Sequence, residues 1–496
     1  MALKYNPDVA AHAERIAPKI SDISDSTHNK VGNVLAAVFA DETIKSRFAG
    51  AQIRYVTMCG KVAQRVLSII GENPEHISVL ALGDVSLPEF AEDAIGGLVE
   101  KSYDRHSELT SPSEEGFGYD VTANGTEASR HAMIGYFSKY YGFDEIPGLY
   151  QKLVAQSTPT AGGMRAIDDI VSAVIANGAK MTDISDGKPQ TRLISPDNSF
   201  ATWNSIAKLR SANGSLAQLH AVPTKQEKGL HLSAEEVKKF YEEHPTGAEQ
   251  TVDCWYITPV GNPSGTTISP EQLKSTCAEI ITHNPKAIII FDIVYARTLT
   301  QERAHDLLHG IIRSPAILNR IVFVESLSKT HGICGERVGA FFSSNERIYG
   351  GIQTLNMTFT AGNGRQKEAM FMAAANATEE EEDAILRLHE FWRDEKVGLY
   401  EHLIKSGKFK NIFDENQQHV DEDQLNEPGG LYLFLKLKPG IGAQQVAQET
   451  GCLGVESKMA TGAYIRFSVG TLTGPTYSKK PVEQSWKDRF KSAFLA

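Results

Sequence analysis

The sequence has few cysteines, and their spacing builds neither a covalent nor a metal-bound framework. Five cysteines are scattered over 496 residues without a Cys-x-x-Cys pair. An odd and dispersed set of thiols predicts neither a disulfide scaffold nor a metal site. No apolar run reaches the length of about 18 residues needed to span a membrane, and the first residues lack the apolar core of a signal peptide. We therefore expect a cytoplasmic protein with no membrane partner and no metal.

Basic side chains are also in the minority. The chain carries 50 Lys and Arg residues against 61 Asp and Glu residues, which gives a formal net charge of −11. This balance argues against nucleic acid as a general partner. The segment Gly116–Gly118 lacks the third glycine and the preceding strand of a dinucleotide-binding fingerprint, so we interpret it as a loop.

Four polar motifs follow one another in the second half of the chain. They are Asn262-Pro263-Ser264-Gly265, Asp292-Ile293-Val294-Tyr295, Ser326-Leu327-Ser328-Lys329 and, eight residues later, Arg337. Each motif alone is common in loops and turns. Together they supply what pyridoxal phosphate requires: a lysine for its Schiff base, a carboxylate for its ring nitrogen, donors for its phenolate oxygen, and a cation with backbone amides for its phosphate. The combined motifs predict a pyridoxal phosphate site centred on Lys329.

Three apolar runs that are typical of strands lead into these motifs. They cover residues 255–257, 287–291 and 321–324, and polar residues follow each of them. Ligands of an open parallel sheet bind at the carboxyl ends of its strands. At the end of such a strand, Asp292 needs a cation or a strong donor, because a buried unpaired charge is costly. A pyridinium nitrogen would satisfy it, whereas a helix cap or a strand-end salt bridge is the alternative interpretation.

With these motifs, the chain resembles the class I/II aminotransferases, which are fold type I pyridoxal phosphate enzymes, from about residue 80 to residue 470. The resemblance implies an α/β fold: a large domain with a mostly parallel sheet between helices, and a smaller α+β C-terminal domain. It implies that Lys329 forms the Schiff base and later carries a proton at the substrate Cα. Asp292 would pair with the pyridinium nitrogen, and Tyr295 and Asn262 would hydrogen-bond the phenolate oxygen.

The resemblance also assigns groups to the cofactor phosphate. Ser326 and Arg337 are expected to hold it from the lysine segment. Upstream, Gly162 and Gly163 precede a run of helical spacing at 165–176, and free amides at a helix start favour a phosphate. A simple loop-to-helix turn is the alternative interpretation of this segment.

An aromatic residue is expected to stack on the cofactor ring. By resemblance Phe200 is the favoured residue and Trp203 the alternative, while an ordinary core aromatic is the competing interpretation. On the substrate side, Arg466 lies in a strand-like run and would bind the α-carboxylate through a bidentate pair, unless it is a snorkelling edge residue. Gly83 would let the backbone of a loop approach the substrate. Arg297 is interpreted as part of a surface ion pair rather than as a contact for an acidic substrate.

The length of the chain predicts more than one domain. We expect a helical N-terminal extension at 1–78, a large domain at 79–365 and a small domain at 366–496, whose Thr378-Glu379-Glu380-Glu381 segment is typical of a capped helix start. In the family, a tyrosine near the position of Tyr119 reaches the phosphate of the neighbouring subunit, so we expect a homodimer.

The expected reaction is the transfer of an amino group between an L-amino acid and a 2-oxo acid. A pyridoxal phosphate-dependent decarboxylase or lyase is the main alternative, because one lysine core serves several reactions on this fold. A pyridoxal phosphate-binding transcription regulator is a third hypothesis, suggested by the long N-terminal extension. Residues 1–79 carry nine basic and eight acidic side chains without an evident recognition helix, which argues against DNA binding.

Overall fold

The computed structural model describes residues 7–20, 27–48, 52–81, 85, 87–109, 124–184, 190–245, 250–360 and 364–472. Their α-helices are α1 (Pro7–Ile16), α2 (Thr27–Phe39), α3 (Glu42–Arg47), α4 (Gln52–Ile69), α5 (Glu89–Leu109), α6 (Glu127–Tyr141), α7 (Leu149–Ala155), α8 (Gly163–Met181), α9 (Ala201–Arg210), α10 (Ala234–Glu243), α11 (Pro270–His283), α12 (Gln301–Ile312), α13 (Pro315–Leu318), α14 (Leu327–Thr330), α15 (Glu346–Thr360), α16 (Arg365–Ala375), α17 (Glu379–Tyr400), α18 (Glu422–Leu425) and α19 (Ala443–Thr450). Their strands are β1 (Ser78–Val79), β2 (Ser157–Thr160), β3 (Gln190–Pro196), β4 (Gln218–Val222), β5 (Thr251–Ile257), β6 (Ile288–Asp292), β7 (Ile321–Ser326), β8 (Gly339–Phe342), β9 (Tyr432–Lys436), β10 (Cys452–Leu453), β11 (Val455–Met459) and β12 (Gly462–Ser468).

A seven-stranded sheet forms the centre of the molecule, in the order β2-β8-β7-β6-β5-β3-β4. Five of its strands, from β7 to β4, are parallel, and β8 runs antiparallel to both of its neighbours. The three apolar runs of the sequence are β5, β6 and β7, and every residue of these strands is buried. Such continuous apolar strands are expected in a parallel sheet that is covered on both faces. The predicted α/β fold is therefore confirmed.

Two groups of helices accompany this sheet. Helix α8 packs against several of its strands, and α9 and α15 pack on α8. Helices α10, α11, α12 and α6 pack side by side in a second group. Helix α8 spans the run that the sequence predicted at 165–176 and extends it at both ends.

The C-terminal part contains a three-stranded antiparallel sheet in the order β11-β12-β9. Helix α17 leads into this part and begins at a capping box, in which Thr378 and Glu381 each accept a backbone N–H of the other residue. The four glutamates at its start also suit the positive end of the helix dipole. The cap predicted from the sequence at Thr378 is therefore present.

The N-terminal helices share a hydrophobic core with the C-terminal part of the chain. Buried side chains of α1, α2 and α4 form one cluster with Ala447, Leu453 and Val455. Strand β1 pairs in parallel with β10, across more than 370 residues of sequence. At this contact Gly60 of α4 is required, because a Cβ at that position would lie 2.6 Å from a methyl carbon of Val79. The N-terminal segment is thus fixed to the C-terminal segment over a buried surface.

None of the helices in the described ranges combines the length and the apolar character that a membrane-spanning segment requires.

Candidate active site

A pocket of about 520 Å³, open on one side, lies at the carboxyl ends of β5, β6 and β7. We call it the strand-end pocket. It is lined by Gly163, Met164, Ile167, Phe200, Asn262, Asp292, Val294, Tyr295, Ser326, Ser328, Lys329 and Arg337. Eight of these are residues that the sequence singled out. Parallel neighbours place their carboxyl ends at one edge of the sheet, so residues distant in sequence meet there.

Asp292 is the last residue of β6 and is 4% exposed. Its carboxylate accepts a hydrogen bond from the hydroxyl of Tyr256, at 2.5 Å, and a longer one from the N–H of Val294, at 3.4 Å. Burial raises the pKa of Asp292 to about 6, although these two donors oppose the rise. Within the described residues no basic side chain forms an ion pair with it. A cationic group entering the pocket would therefore stabilise its ionised form.

Asn262 and Tyr295 form a second polar set opposite the ends of the strands. The amide of Asn262 donates to the hydroxyl of Tyr295 at 3.2 Å, and this hydroxyl lies 2.7 Å from that of Tyr432 on β9. Burial and the neighbouring Tyr432 raise the pKa of Tyr295 well above its usual value, so Tyr295 stays protonated. It can therefore donate a hydrogen bond to an oxyanion.

Lys329 lies on the short helix α14 and is partly buried. Its Nζ donates to the sulfur of Cys334 at 3.4 Å, and the thiol of Cys334 donates to the carbonyl of Ser328 at 3.0 Å. Ser326 caps the start of helix α14, and its Oγ accepts the N–H of Ser328. The amine is thus held at the mouth of the pocket by contacts within its own segment.

Arg337 and the start of α8 form a cationic corner of the pocket. Arg337 has a left-handed φ of +54°, uncommon for a residue with a Cβ, and forms no ion pair with a described carboxylate. Gly162 beside it has a φ of +87°, a conformation that favours glycine, and a Cβ there would lie 2.5 Å from a guanidinium nitrogen of Arg337. The N–H of Gly162 donates to Thr160, so Gly163, the first residue of the 19-residue helix α8, is the glycine that lines the pocket. A guanidinium beside a helix N-terminus suits a phosphate.

The structure gives different positions to the two aromatic residues that the sequence offered as ring-stacking candidates. Phe200 lines the pocket and is half-buried, whereas Trp203 is 2% exposed and stacks on Tyr256 with ring centroids 4.4 Å apart. Trp203 therefore supports the tyrosine that bonds Asp292, and Phe200 is the aromatic residue on the pocket side.

Arg466 on β12, in the C-terminal sheet, contacts Asn262 of the pocket wall but does not itself line the pocket. It is 5% exposed, donates to Asn262 Oδ1 at 3.0 Å and to the carbonyl of Ala81 at 2.7 Å, and lies over the ring of Tyr432. Its Nε is buried and has no hydrogen-bond partner among the described residues. A buried donor without a partner is costly, so an incoming carboxylate would satisfy it. Gly83 lies outside the described residues, as does Tyr119.

Arg297 corrects one of the expectations from the sequence. Instead of a surface pair, it forms a fully buried ion pair with Glu325, with 2.6 Å between Nε and Oε1. Tyr141 also donates to this carboxylate, at 2.8 Å. Burial alone would lower the pKa of Arg297, but Glu325 raises it above its usual value. The pair joins the segment after β6 to the end of β7, directly behind the strand-end pocket.

Four residues of the site were not found from the sequence: Tyr256, Tyr432, Glu325 and Cys334. Tyr256 left a signal, because a hydroxyl inside a fully buried strand needs a buried partner. Glu325 left a weaker one, as a carboxylate between Val324 and Ser326 in a buried run. Tyr432 left none, since its role depends on a contact between distant segments. Cys334 lies close to Lys329 in sequence, but a small buried side chain is the favoured interpretation of it there.

Comparison with known proteins points to one family. A model of the family "Aminotransferase class I and II" matches residues 172–455, more than half of the chain. The chain is 24% identical over 313 residues to 1-aminocyclopropane-1-carboxylate synthase 2 of Solanum lycopersicum, covering 62% of this chain and 59% of that protein. It is 23% identical over 185 residues to a probable N-acetyl-LL-diaminopimelate aminotransferase of Bacillus subtilis, covering 37% and 40%. The matches thus span less than two thirds of the length of these relatives.

Solved structures show the same fold. The aspartate aminotransferase from Thermus thermophilus with maleate superposes with a TM-score of 0.60 at 14% identity, covering 88% of this chain and 94% of that one. The aromatic aminotransferase from Pyrococcus horikoshii gives a TM-score of 0.59 at 17% identity, covering 84% and 94%. The fold, a pocket whose charges suit pyridoxal phosphate and the family match agree: this chain belongs to the class I and II aminotransferases, a family of pyridoxal phosphate enzymes.

Proposed function

We propose that the protein is an aminotransferase that moves an amino group between an L-amino acid and a 2-oxo acid, with pyridoxal phosphate bound covalently at Lys329. The observation that carries the proposal is the meeting of Lys329, Asp292 and Arg337 in one pocket, although Asp292 lies on a different strand segment from the other two. When bound, pyridoxal phosphate supplies an electron sink for the charge that develops at the substrate Cα.

Asp292 holds the proton on the ring nitrogen. Its buried carboxylate has a pKa of about 6 in the structure, because burial disfavours the charged form. A cation at the pocket floor lowers that pKa and fixes the charge. Asn262 and Tyr295 would donate to the phenolate oxygen, while Ser326, Arg337 and the N–H of Gly163 would hold the phosphate, with Gly162 beside Arg337 at the same corner. Phe200 would lie against the ring.

Lys329 has a second role once the substrate has displaced it. Its amine then moves a proton at Cα, acting as general base and general acid in turn. The contact with Cys334 keeps the amine beside the pocket. Arg466 binds the substrate α-carboxylate through its unpartnered Nε and a neighbouring guanidinium nitrogen. Gly83 is proposed to approach the substrate from the N-terminal side.

We further propose the three-part organisation at 1–78, 79–365 and 366–496, with a homodimer as the active form. The N-terminal helices share a hydrophobic core with Ala447, Leu453 and Val455, which supports an N-terminal extension packed on the C-terminal part. Light scattering of the holoenzyme tests the dimer, and a fully active monomer would rule it out.

The test of the reaction is the visible absorption spectrum of the purified holoenzyme. Individual L-amino acids are added without any oxo-acid acceptor, and Lys329→Ala serves as the control. An aminotransferase converts the lysine-bound cofactor to its amine form, releases one oxo acid per site, and regains the original spectrum when a 2-oxo acid is added. A variant at Lys329 that reacts equally well would contradict the proposal.

A decarboxylase or lyase is the second candidate, and one observation favours it. Two of the relatives found by sequence are named 1-aminocyclopropane-1-carboxylate synthases rather than aminotransferases. In the same experiment, loss of carbon dioxide or of a side-chain fragment with the starting spectrum restored selects this candidate. A holoprotein that reacts with no amino acid would favour a binding role instead.

A further inference from the structure

A second cavity lies beside the substrate end of the strand-end pocket. It encloses about 1050 Å³, counting its open mouth, and shares Asn262 with the first pocket. Arg466 also lines it, next to the proposed carboxylate site. We call it the α4 cavity, because the first turn of α4 contributes Gln52 and Arg54 to its wall. A substrate held by Arg466 therefore has the α4 cavity within reach of its side chain.

Helix α4 is held firmly enough to act as a wall. Its buried face, which includes Val56, Cys59 and Val62, packs into the core shared with the C-terminal segment. The hydroxyl of Tyr55 donates to the carbonyl of Phe39 at 3.0 Å, which ties the first turn to α2. The opposite face of this first turn is exposed and lines the cavity.

Besides Arg466, the cavity has one charged side chain without an ion-pair partner among the described residues. Arg54 is exposed and forms no ion pair with any described carboxylate. Glu456 on β11 also lines the cavity, but its Oε2 accepts the N–H of Ala443 at 3.1 Å, at the start of α19. Lys458 lies near its other oxygen, 3.9 Å away. The carboxylate is therefore engaged and the guanidinium is available to a ligand.

We propose that Arg54 is the specificity-determining residue of this enzyme and binds the anionic end of the substrate side chain. The inference rests on the proposed function, because it takes the amino acid bound at Arg466 as its starting point. The substrate class is an L-amino acid with a second acidic group. The N-terminal segment, which carries no residue of the strand-end pocket, thus selects the side chain while the sheet holds the cofactor.

The test compares matched donors and matched variants in the holoenzyme. The rate of spectral conversion is measured with L-glutamate and with its neutral isostere L-glutamine. The variants are Arg54→Leu, Arg54→Lys and the control Lys61→Leu, which removes an exposed cation from the same helix outside the cavity. Arg54→Leu is expected to lower kcat/KM for glutamate about tenfold and to leave glutamine within about threefold. Arg54→Lys should retain part of the preference.

Three results would overturn the inference: an equal loss for both donors, an equal effect of Lys61→Leu, or a wild-type preference for glutamine. Added salt should also reduce the glutamate preference, because the contact is electrostatic.

A binding measurement separates this inference from the proposed reaction. The Kd of glutarate, which carries two carboxylates, is compared with that of butyrate, which carries one, by calorimetry on the holoenzyme. Arg54→Leu should weaken glutarate about tenfold and leave butyrate unchanged, whether or not any amino acid is converted. If glutarate binding depends on Arg54 but no donor reacts, the aminotransferase proposal fails alone. If glutarate and butyrate respond alike, the role of Arg54 fails alone.

Discussion

The strand-end pocket and the α4 cavity differ in how the chain builds them. Most polar groups of the first follow the end of a strand in one sheet, and most are buried and hydrogen-bonded. The second is assembled mainly from α4, the start of α9 and β11, and it encloses about twice the volume, 1050 Å³ against 520 Å³. A cofactor that stays bound can be held by a rigid frame, whereas a substrate must enter and leave. We therefore expect substitutions in or behind the strand-end pocket to change activity, stability or cofactor affinity more than substitutions in the α4 cavity.

The largest effect is expected at Lys329. Lys329→Ala removes both the covalent anchor and the group that moves the proton at Cα, so the half-reaction should slow by at least about a thousandfold. Stopped-flow absorbance with a reactive amino acid measures this. Lys410→Ala, at an exposed position of the C-terminal part, should change the rate by less than about twofold. If the Lys329→Ala protein keeps a tenth of the rate, another residue carries the proton at Cα.

The next effect concerns stability behind the pocket. Arg297→Met leaves Glu325 buried without its cation, which should lower the free energy of unfolding by about 3–5 kcal/mol. Adding Glu325→Gln to this variant should recover part of the loss, because the uncompensated charge is then removed. Chemical denaturation measures both variants.

The matched control for that change is Arg105→Met, which breaks the exposed pair with Glu108 on α5. Exposed pairs contribute little, so a loss below about 1 kcal/mol is expected. Equal losses of unfolding free energy for the two variants would show that the buried ion pair behind the pocket contributes no more to stability than an exposed pair.

Asp292 should make the apoprotein less stable as the pH rises. Its folded pKa, about 6, lies above the usual carboxyl pKa of 3.8. The folded state therefore binds more protons than the unfolded state between these values, and stability falls as pH rises through them. Asp292→Asn should therefore make the apoprotein about 2–3 kcal/mol more stable at pH 8, with the gap closing towards pH 4. Unfolding at both pH values tests this. A gap that widens towards pH 4 would contradict the assigned direction.

The same contrast explains how much could be predicted from the sequence. Asp292 and Lys329 could be found because each follows an apolar run, and parallel strands bring their ends together. The buried ion pair of Arg297 could not be predicted, because Arg297 and Glu325 meet only when the sheet has formed. From sequence alone, a surface ion pair is the more common role of a single arginine. The side of α4 that carries Arg54 could not be assigned either, since the place of the helix depends on β10, near the other end of the chain.

The smallest effects are expected when one hydroxyl is removed beside the strand-end pocket and one in the α4 cavity. Tyr256→Phe removes the short hydrogen bond to Asp292, so the pKa of Asp292 should rise further and pyridoxal phosphate should bind about tenfold more weakly at neutral pH. Ser205→Ala removes an exposed hydroxyl of the α4 cavity, whose only described bond is to Ala201 in its own helix. That change should alter cofactor affinity and stability by less than about 0.5 kcal/mol. Spectroscopic titration of both apoproteins with pyridoxal phosphate measures the two affinities. If the variants bind the cofactor equally, the hydroxyl of Tyr256 does not control the charge of Asp292. The contrast between a rigid pocket and an open cavity would then fail at that residue.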